Sequence, residues 1–387
     1  MTFLRLNDLD FRKKRVLVRV DFNVPIKKGR ILDDSRIKAC LPTINYLIKK
    51  NAKIILISHL GDPKGRKNTD LSLINVAKRL SSLLKRKVGF VDDCVGEQVK
   101  KSVNSLDFGE VILLENLRFH KGEESNDQKF AKQLASLADV FVNDAFSVSH
   151  RTHASIAKIT GFLPSCAGFL MDKEITALSN LNKPKRPFVV VIGGRKISIK
   201  IKLIKNLLKK ADCILVGGAM MFTFYKANGI NVGKSFVEDS QLNLAKFLLK
   251  NSRSKIVLPV DVSTNHGIKN YRSMSNNDVG LDIGPETIKI YSEIIVKAET
   301  VVWNGPLGMF EIPKFSKGSK EIAKSISNSK NCFSIVGGGE TLDLIKSLKL
   351  EFSYISTGGG AMLSFLEGIK LAGVKSLENS FKNSKKR

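Results

Sequence analysis

Pro187 to Lys200 reads PFVVVIGGRKISIK, midway along a chain of 387 residues. Phe188 to Ile192 is an unbroken apolar run rich in β-branched residues. A strand covered on both faces within a parallel sheet has this pattern, whereas a strand with one wet face alternates. Gly193 and Gly194 then let the backbone turn and come close to a ligand, and the residues beyond them open a helix whose first amides attract anions. Lys196 and Lys200 are four apart, so on a helix they share a face. Two readings fit this stretch alone: a phosphate-binding turn at the end of a core strand, or an ordinary strand-turn-helix with two solvated lysines. The rest of the chain decides between them.

One hydrophobic core stops growing well below this length, so two domains are expected. With 43% apolar and 26% charged residues, the chain has the composition of a soluble globular protein with material for two cores. The five cysteines (Cys40, Cys94, Cys166, Cys213 and Cys332) are scattered and lack a close metal-site pair, which fits a reduced, cytoplasmic setting better than a disulfide framework. No apolar run is long enough to span a bilayer, and the amino terminus, MTFLRLNDLDFRKKR, lacks the apolar core of an export signal. The net charge of +28 raises nucleic acid and anionic lipid as partners. Its lysines are spread along the chain among acids and no nucleic-acid module is recognisable, so the expectation is neither nucleic-acid nor membrane binding. The abundance of Asn and Ile beside Lys points to a compositional bias of the source genome.

The first half alternates strand and helix signals, the pattern of βαβ units. Strands are expected at Arg15 to Val20, Lys53 to Ser58, Val88 to Val91, Val111 to Leu114 and Val140 to Val142. Helices are expected at Ser35 to Lys50, Leu73 to Leu84 and Gln128 to Leu137. Ligands of open α/β sheets bind beyond the carboxyl ends of the strands. Those ends carry Asp21, Asn23, His59, Arg118, His150 and Arg151, and Arg36 begins the first helix. Converging Arg and His with an Asp and an Asn suit a small, multiply anionic, hydroxyl-bearing molecule, because arginine grips carboxylate and phosphate with two parallel bonds.

Gly161 to Arg186 holds a helical pattern, MDKEITALSNL, and then Lys-Pro-Lys-Arg-Pro, read as a linking helix and a boundary. In the second half the strand ends are rich in glycine instead of arginine. Cys213 to Val216 runs into Gly217 and Gly218, Lys255 to Val260 into Asp261, and Val301 to Trp303 into Asn304, Gly305 and Pro306. Phe333 to Val336 runs into Gly337, Gly338, Gly339 and Glu340, and Phe352 to Ile355 into Ser356, Thr357, Gly358, Gly359 and Gly360. One such turn says little, but several before helical patterns suit a nucleotide's phosphates. The Walker pattern is absent, so this is a different kind of nucleotide site.

Taken together, the motifs resemble the phosphoglycerate kinase family across essentially the whole chain and in order. They are RVDFNVP (Arg19 to Pro25), SHLG (Ser58 to Gly61), ENLRF (Glu115 to Phe119), NDAF (Asn143 to Phe146) with His150 and Arg151, and Gly193 to Lys200. LPVD (Leu258 to Asp261), GLDIGP (Gly280 to Pro285), WNGPLGMFE (Trp303 to Glu311), GGGET (Gly337 to Thr341) and STGGGA (Ser356 to Ala361) complete the set.

The resemblance implies an α/β protein of two Rossmann-like domains, each a parallel sheet flanked by helices, joined by a linking helix with a hinge. It implies reversible phosphoryl transfer between 1,3-bisphosphoglycerate and ADP, giving 3-phosphoglycerate and ATP, with Mg2+ carried by the nucleotide, in a monomer. By the same match, residues 1–170 hold 3-phosphoglycerate through Arg19, Asp21, Asn23, Arg36, His59, Arg118 and Arg151. Residues 171–186 link the domains. Residues 187–370 hold nucleotide through Gly194, Gly217, Gly218, Pro306, Gly308 and Met309 on the adenine side and Glu311 on the ribose, with Lys196, Lys200, Asn304, Gly337, Gly338, Gly339, Glu340 and Thr341 around the phosphates. Residues 371–387 return to the first domain. Arg36, Lys196, Lys200, Gly337 and Gly360 are the implied catalytic groups and Glu340 the implied magnesium ligand. The acceptor in the ATP-consuming direction is a carboxylate, already ionised, so no general base is needed and charge neutralisation carries the catalysis. Ligands on different domains imply closure that brings them in line and excludes water.

This chain departs from the family's usual residues at a few places. Asp62 stands where an arginine is usual, Arg195 where an alanine is, Ile199 where an aspartate is, Glu340 where an aspartate is and Ser147 where glycine is frequent. Asp62 is expected to weaken glycerate binding. Arg195 and Ile199 make the phosphate side more positive, while Glu340 keeps the carboxylate. They leave open an alternative, a catalytically weakened relative kept as a nucleotide-binding or interaction protein.

Overall fold

The Phe188–Ile192 run forms a strand buried along its whole length. A computed structural model describes residues 2–385 and sets this strand inside a six-stranded sheet. The order is Ile256–Val257, Cys213–Val216, Phe188–Ile192, Thr300–Asn304, Phe333–Gly337 and Tyr354–Ser356, with every pairing parallel. From Phe188–Ile192 the chain first builds outward to one edge and then, from Thr300–Asn304, to the other. The order therefore reverses between these two strands, and the crevice at such a reversal is where open α/β sheets bind ligands.

A second six-stranded parallel sheet has the order Val88–Val91, Val111–Leu114, Lys53–Ile57, Arg15–Arg19, Val140–Asn143 and Ser165–Ala167. Its faces feed separate cores. Val16 and Val18 pack with Ile54 and Leu56 on one side, and Leu17 packs with Ile55 and Ile57 on the other. Burial on both faces is why these strands read as continuous apolar runs. Here the reversal falls between Arg15–Arg19 and Val140–Asn143.

The chain up to Thr176, together with the segment from Lys370 onward, forms one compact unit, and Ala177–Ile369 forms the other. The division falls inside the helix Phe169–Ser179. The last helix, Ala372–Ser384, belongs to the first unit: Gly373 N–H donates to the Ser149 carbonyl at 2.9 Å and Ser376 Oγ–H to the Ile156 carbonyl at 2.8 Å. No helix among the described residues is long and apolar enough to cross a membrane.

The local expectations need correction in several places. Of the strand expected over Lys255 to Val260, only Ile256–Val257 joins the large sheet, because Pro259 brings no N–H to a ladder. From Asp261 the chain enters an antiparallel sheet of Gly267–Asn270, Asp261–Thr264 and Gly280–Ile283 that the apolar pattern does not announce. The helix after Gly193 and Gly194 begins only at Ile197. Lys196 is its N-cap residue, extended at φ −114° and ψ 129°, so it does not share a helical face with Lys200.

Candidate functional site

At the reversal in the first unit, Arg19 closes its strand with no solvent-exposed surface. Its Nε donates to Ser155 Oγ at 2.9 Å, its Nη1 to the Val20 carbonyl at 2.6 Å, and its Nη2 lies 3.2 Å from His59 Nδ1. A guanidinium can only donate, so His59 Nδ1 accepts and the ring proton sits on Nε2. Burial, reinforced by Arg19 and Arg118, holds the His59 pKa well below the usual histidine range, and the ring is neutral. Ser155 passes the interaction on, its hydroxyl donating to Glu123 at 2.6 Å and its N–H at 3.0 Å. Arg19 thus supports the site from beneath, through His59 and Ser155.

Asp21 accepts from Arg36 Nη1 at 2.5 Å and from the Ser147 hydroxyl, so the serine at this departure position ties down a site carboxylate. Asn23 Oδ1 receives the Gly61 N–H at 2.9 Å, and Arg118 Nη1 donates to the Gly61 carbonyl at 2.7 Å. Arg118 Nε lies 3.2 Å from Glu124 yet has no hydrogen-bond partner. Arg151 is exposed, and its charge is felt at Arg118, His150 and His153. Burial first and the arginines second push His153 down to about 4, and burial lowers His150. The arrangement joins Arg19, Arg36, His59, Arg118 and the field of Arg151 around Asp21 and Asn23, and it gathers cationic groups that an added anion would neutralise.

Asp62 is exposed, and its charge acts on Arg118. Its carboxylate therefore opposes an incoming anion at Arg118. Asp62→Arg is expected to tighten the binding of a small phosphorylated acid here by up to about 1 kcal/mol, the scale of an exposed pair. Calorimetric titration checks this, and unchanged or weaker affinity refutes it.

In the second unit the glycine turns pack on one another. A Cβ on Gly193 would stand 1.9 Å from the Pro306 carbonyl oxygen, and one on Gly218, at φ +65°, would stand 2.4 Å from the Gly194 nitrogen. Backbone meets backbone here, with Gly194 N–H bonded to Pro306 O at 2.9 Å and Gly218 N–H to Leu307 O at 2.8 Å. Gly217 N–H bonds to Ile192 O at 2.9 Å. Asn304 ends its strand, its Nδ2 donating to Gly337 O at 2.9 Å, while Thr341 Oγ1 receives the Gly305 N–H at 2.8 Å. Gly338 caps and Gly339 starts the helix Gly339–Lys346, and Gly360 starts Gly360–Leu366.

Lys200 Nζ donates to Asn304 Oδ1 at 2.7 Å and to its carbonyl at 2.9 Å. Burial lowers its pKa to about 8, against the opposing pull of Glu340. Exposed Lys196 lies just beyond the glycine turn. Beside these residues opens a cavity of about 620 Å³ whose wall includes Gly194, Gly218, Pro306, Gly308, Glu311 and Glu340. Met309 is also on the wall and is 47% exposed.

The helix amides behave differently from the expectation. Ser198 N–H and Oγ–H are both taken by Glu238, at 3.1 and 2.6 Å, so a carboxylate of the chain already occupies part of that N-terminus. The Arg195 guanidinium lies 4.4 Å over the Phe236 ring, and both residues line the cavity. Ile199 is 66% exposed. Ser155, Glu123, Phe236 and Glu238 escaped sequence reasoning because each is a single residue outside any motif.

The sequence model of the family described as Phosphoglycerate kinase matches residues 6–369. The phosphoglycerate kinase of Dictyoglomus turgidum is 50% identical over 98% of this chain and 99% of its own, and that of Thermosipho africanus is 50% identical over 99% of each. Among solved structures, phosphoglycerate kinase from Coxiella burnetii superposes with a TM-score of 0.90 at 40% identity, over 98% of this chain and 99% of its own. The enzyme from Pyrococcus horikoshii OT3 gives 0.88 at 34% identity over the same shares.

Proposed function

The chain belongs to the phosphoglycerate kinase family and transfers a phosphoryl group reversibly between 1,3-bisphosphoglycerate and ADP, and from that premise we propose which residues do the work. The first unit holds the glycerate and the second the nucleotide. The observation that carries this division is the contrast between the two sheet reversals: arginines and neutral histidines at one, glycine turns, a half-buried lysine and a nucleotide-sized cavity at the other.

Arg36, Arg118 and Arg151 bind the phosphate and carboxylate of the glycerate, Asp21 and Asn23 orient it, and Arg19 positions His59. Gly194, Gly217, Gly218, Pro306, Gly308 and Met309 line the adenine side, and Glu311 takes the ribose. Lys196, Lys200, Asn304, Gly337, Gly338, Gly339 and Thr341 face the phosphates, and Gly360 lends a turn at the reacting group. Mg2+ enters with the nucleotide as part of the substrate. It prefers oxygen ligands, keeps several waters and needs few carboxylates, and Glu340, exposed on the cavity wall, fits that demand. One chain supplies both ligand sets, and the thiols are unpaired, which supports a cytoplasmic monomer.

In the ATP-consuming direction the glycerate carboxylate attacks the terminal phosphorus of ATP, and ADP leaves. The attacking group is ionised at neutral pH, so the protein's task is alignment and stabilisation of charge on the equatorial oxygens. Hydrogen exchange tests the division. 3-Phosphoglycerate is expected to protect the unit up to Thr176 and Mg-ADP the unit Ala177–Ile369; protection of a single unit by both ligands refutes it.

Lys200 gives a pH dependence. Its folded pKa, about 8, is below the ordinary 10.5, so between these values the folded protein binds fewer protons than the unfolded chain. Burial of the ammonium therefore costs most below pH 8, and its contribution to stability rises with pH through that window. For the nucleotide the sign is opposite, because phosphate favours the ammonium. ADP affinity is expected to fall above pH 8, by at most about tenfold per pH unit. Lys200→Met should flatten this slope in calorimetric titrations, and an equal slope in the variant assigns the dependence elsewhere.

A further inference from the structure

We propose that Asp93, Cys94 and His120 form a binding site for one divalent cation of the zinc class. The topology makes the juxtaposition. Strands Val88–Val91 and Val111–Leu114 are parallel neighbours with Val91 opposite Leu114, so the segments leaving their carboxyl ends emerge side by side. The first delivers Asp93 and Cys94. The second makes the turn Leu117–Phe119 and delivers His120. Glu115 N–H reaches the Asp93 carbonyl at 3.4 Å and ties the segments together.

The result is a carboxylate oxygen, a sulfur and an imidazole nitrogen within 4.8 Å of one another, with His120 Nε2 2.7 Å from Asp93 Oδ1. Tetrahedral zinc holds such ligands at about 2.0–2.3 Å and so spaces them roughly 3.3–3.8 Å apart, which asks for adjustments of about an ångström. The groups are otherwise held. The His120 ring stacks on Phe130 with centroids 5.3 Å apart and an interplanar angle of 26°, and Asp93 Oδ1 receives the Cys94 N–H at 2.6 Å. Asp93 and His120 are partly exposed while Cys94 is buried, so an ion enters past the carboxylate and imidazole to reach the sulfur.

A mixed nitrogen, sulfur and oxygen set selects Zn2+ or Co2+ over Mg2+ or Ca2+, and three protein ligands leave a position for water. On binding, the thiol proton goes to solvent as the metal–sulfur bond forms. The Asp93 carboxylate accepts from His120 Nε2, so that proton passes to Nδ1 or to solvent before Nε2 lends its lone pair to the ion. Binding releases at least the thiol proton, so affinity rises with pH.

The test is titration of the reduced, chelator-treated full-length protein with Co2+. One equivalent should produce a near-ultraviolet thiolate-to-cobalt band that Zn2+ abolishes and excess Mg2+ leaves intact. Cys94→Ser should lose the band. His120→Gln, a change at a partly exposed side chain that circular dichroism can show to leave the fold intact, should weaken binding by at least about tenfold. Cys213→Ser, which removes the partly exposed thiol, should keep the band. The proposal falls if no band appears at one equivalent, if His120→Gln binds as tightly as the parent, or if Cys213 carries the band.

Discussion

Lys196→Ala is expected to lower kcat by roughly two orders of magnitude or more, the scale of losing one preorganised donor to developing charge, while the nucleotide Kd changes far less. The two lysines of the opening stretch stand in different situations. Lys200 is anchored on Asn304 through both its side chain and its carbonyl. Lys196 is extended at the N-cap and exposed, so its ammonium is free to follow the phosphoryl group. An interaction that strengthens only in the transition state appears in kcat rather than in ground-state affinity. Lys200→Ala, by contrast, should raise the nucleotide Kd as well as lower kcat, because in the proposed assignment its anchored ammonium meets the phosphates before transfer begins. If both are merely solvated lysines, each substitution stays within about twofold, since surface changes rarely exceed about 0.5 kcal/mol. Steady-state kinetics with calorimetric ADP titration separates the cases, and near-normal turnover in Lys196→Ala overturns its role.

The long, doubly buried strands were legible because their apolar runs have no competing explanation. Val111–Leu114 and Cys213–Val216 form with the bounds their sequences suggest. The antiparallel sheet around Asp261–Thr264 was not legible: it is assembled from short polar segments such as Gly267–Asn270, held by pairing with distant chain and not by local pattern. The unit division falls within the Phe169–Ser179 helix, because helical periodicity continues across a boundary and does not say where one unit ends.

For the site, strand-end position was the useful signal. Asn304 and Gly337 end their strands, and Asp21, His59 and Arg118 lie a few residues beyond the ends of theirs. What sequence could not supply is the layer behind them. In the Arg19, Ser155 and Glu123 chain the first link spans 136 positions and the second 32, and the Arg195 contact with Phe236 joins a turn to a loop. Such contacts depend on tertiary placement of isolated side chains, which no spacing rule encodes.

Arg19→Met is expected to cost about 3–5 kcal/mol of stability, the range for removing one partner of a buried charge pair. Arg19 and Glu123 are both fully buried, they share Ser155 between them, and Glu123 is the foremost attraction offsetting the burial of the Arg19 charge. Methionine fills much of the volume but leaves Glu123 buried against Ser155 without the Arg19 charge, with His153 Nδ1 at 3.9 Å as the next basic group. The substitution also frees His59 Nδ1, so the ring can rotate or change tautomer and 3-phosphoglycerate affinity falls. The double variant Arg19→Met with Glu123→Gln removes both charges and should regain a coupling of roughly 0.5–3 kcal/mol relative to the sum of the single changes. Denaturant unfolding of the four proteins measures this coupling. Strict additivity would show that the two charges do not depend on each other. Calorimetry with 3-phosphoglycerate tests the link to His59: the double variant regains stability but not the Arg19–His59 hydrogen bond, so its affinity should stay low, and affinity equal to the parent's would show that His59 needs no hold from Arg19.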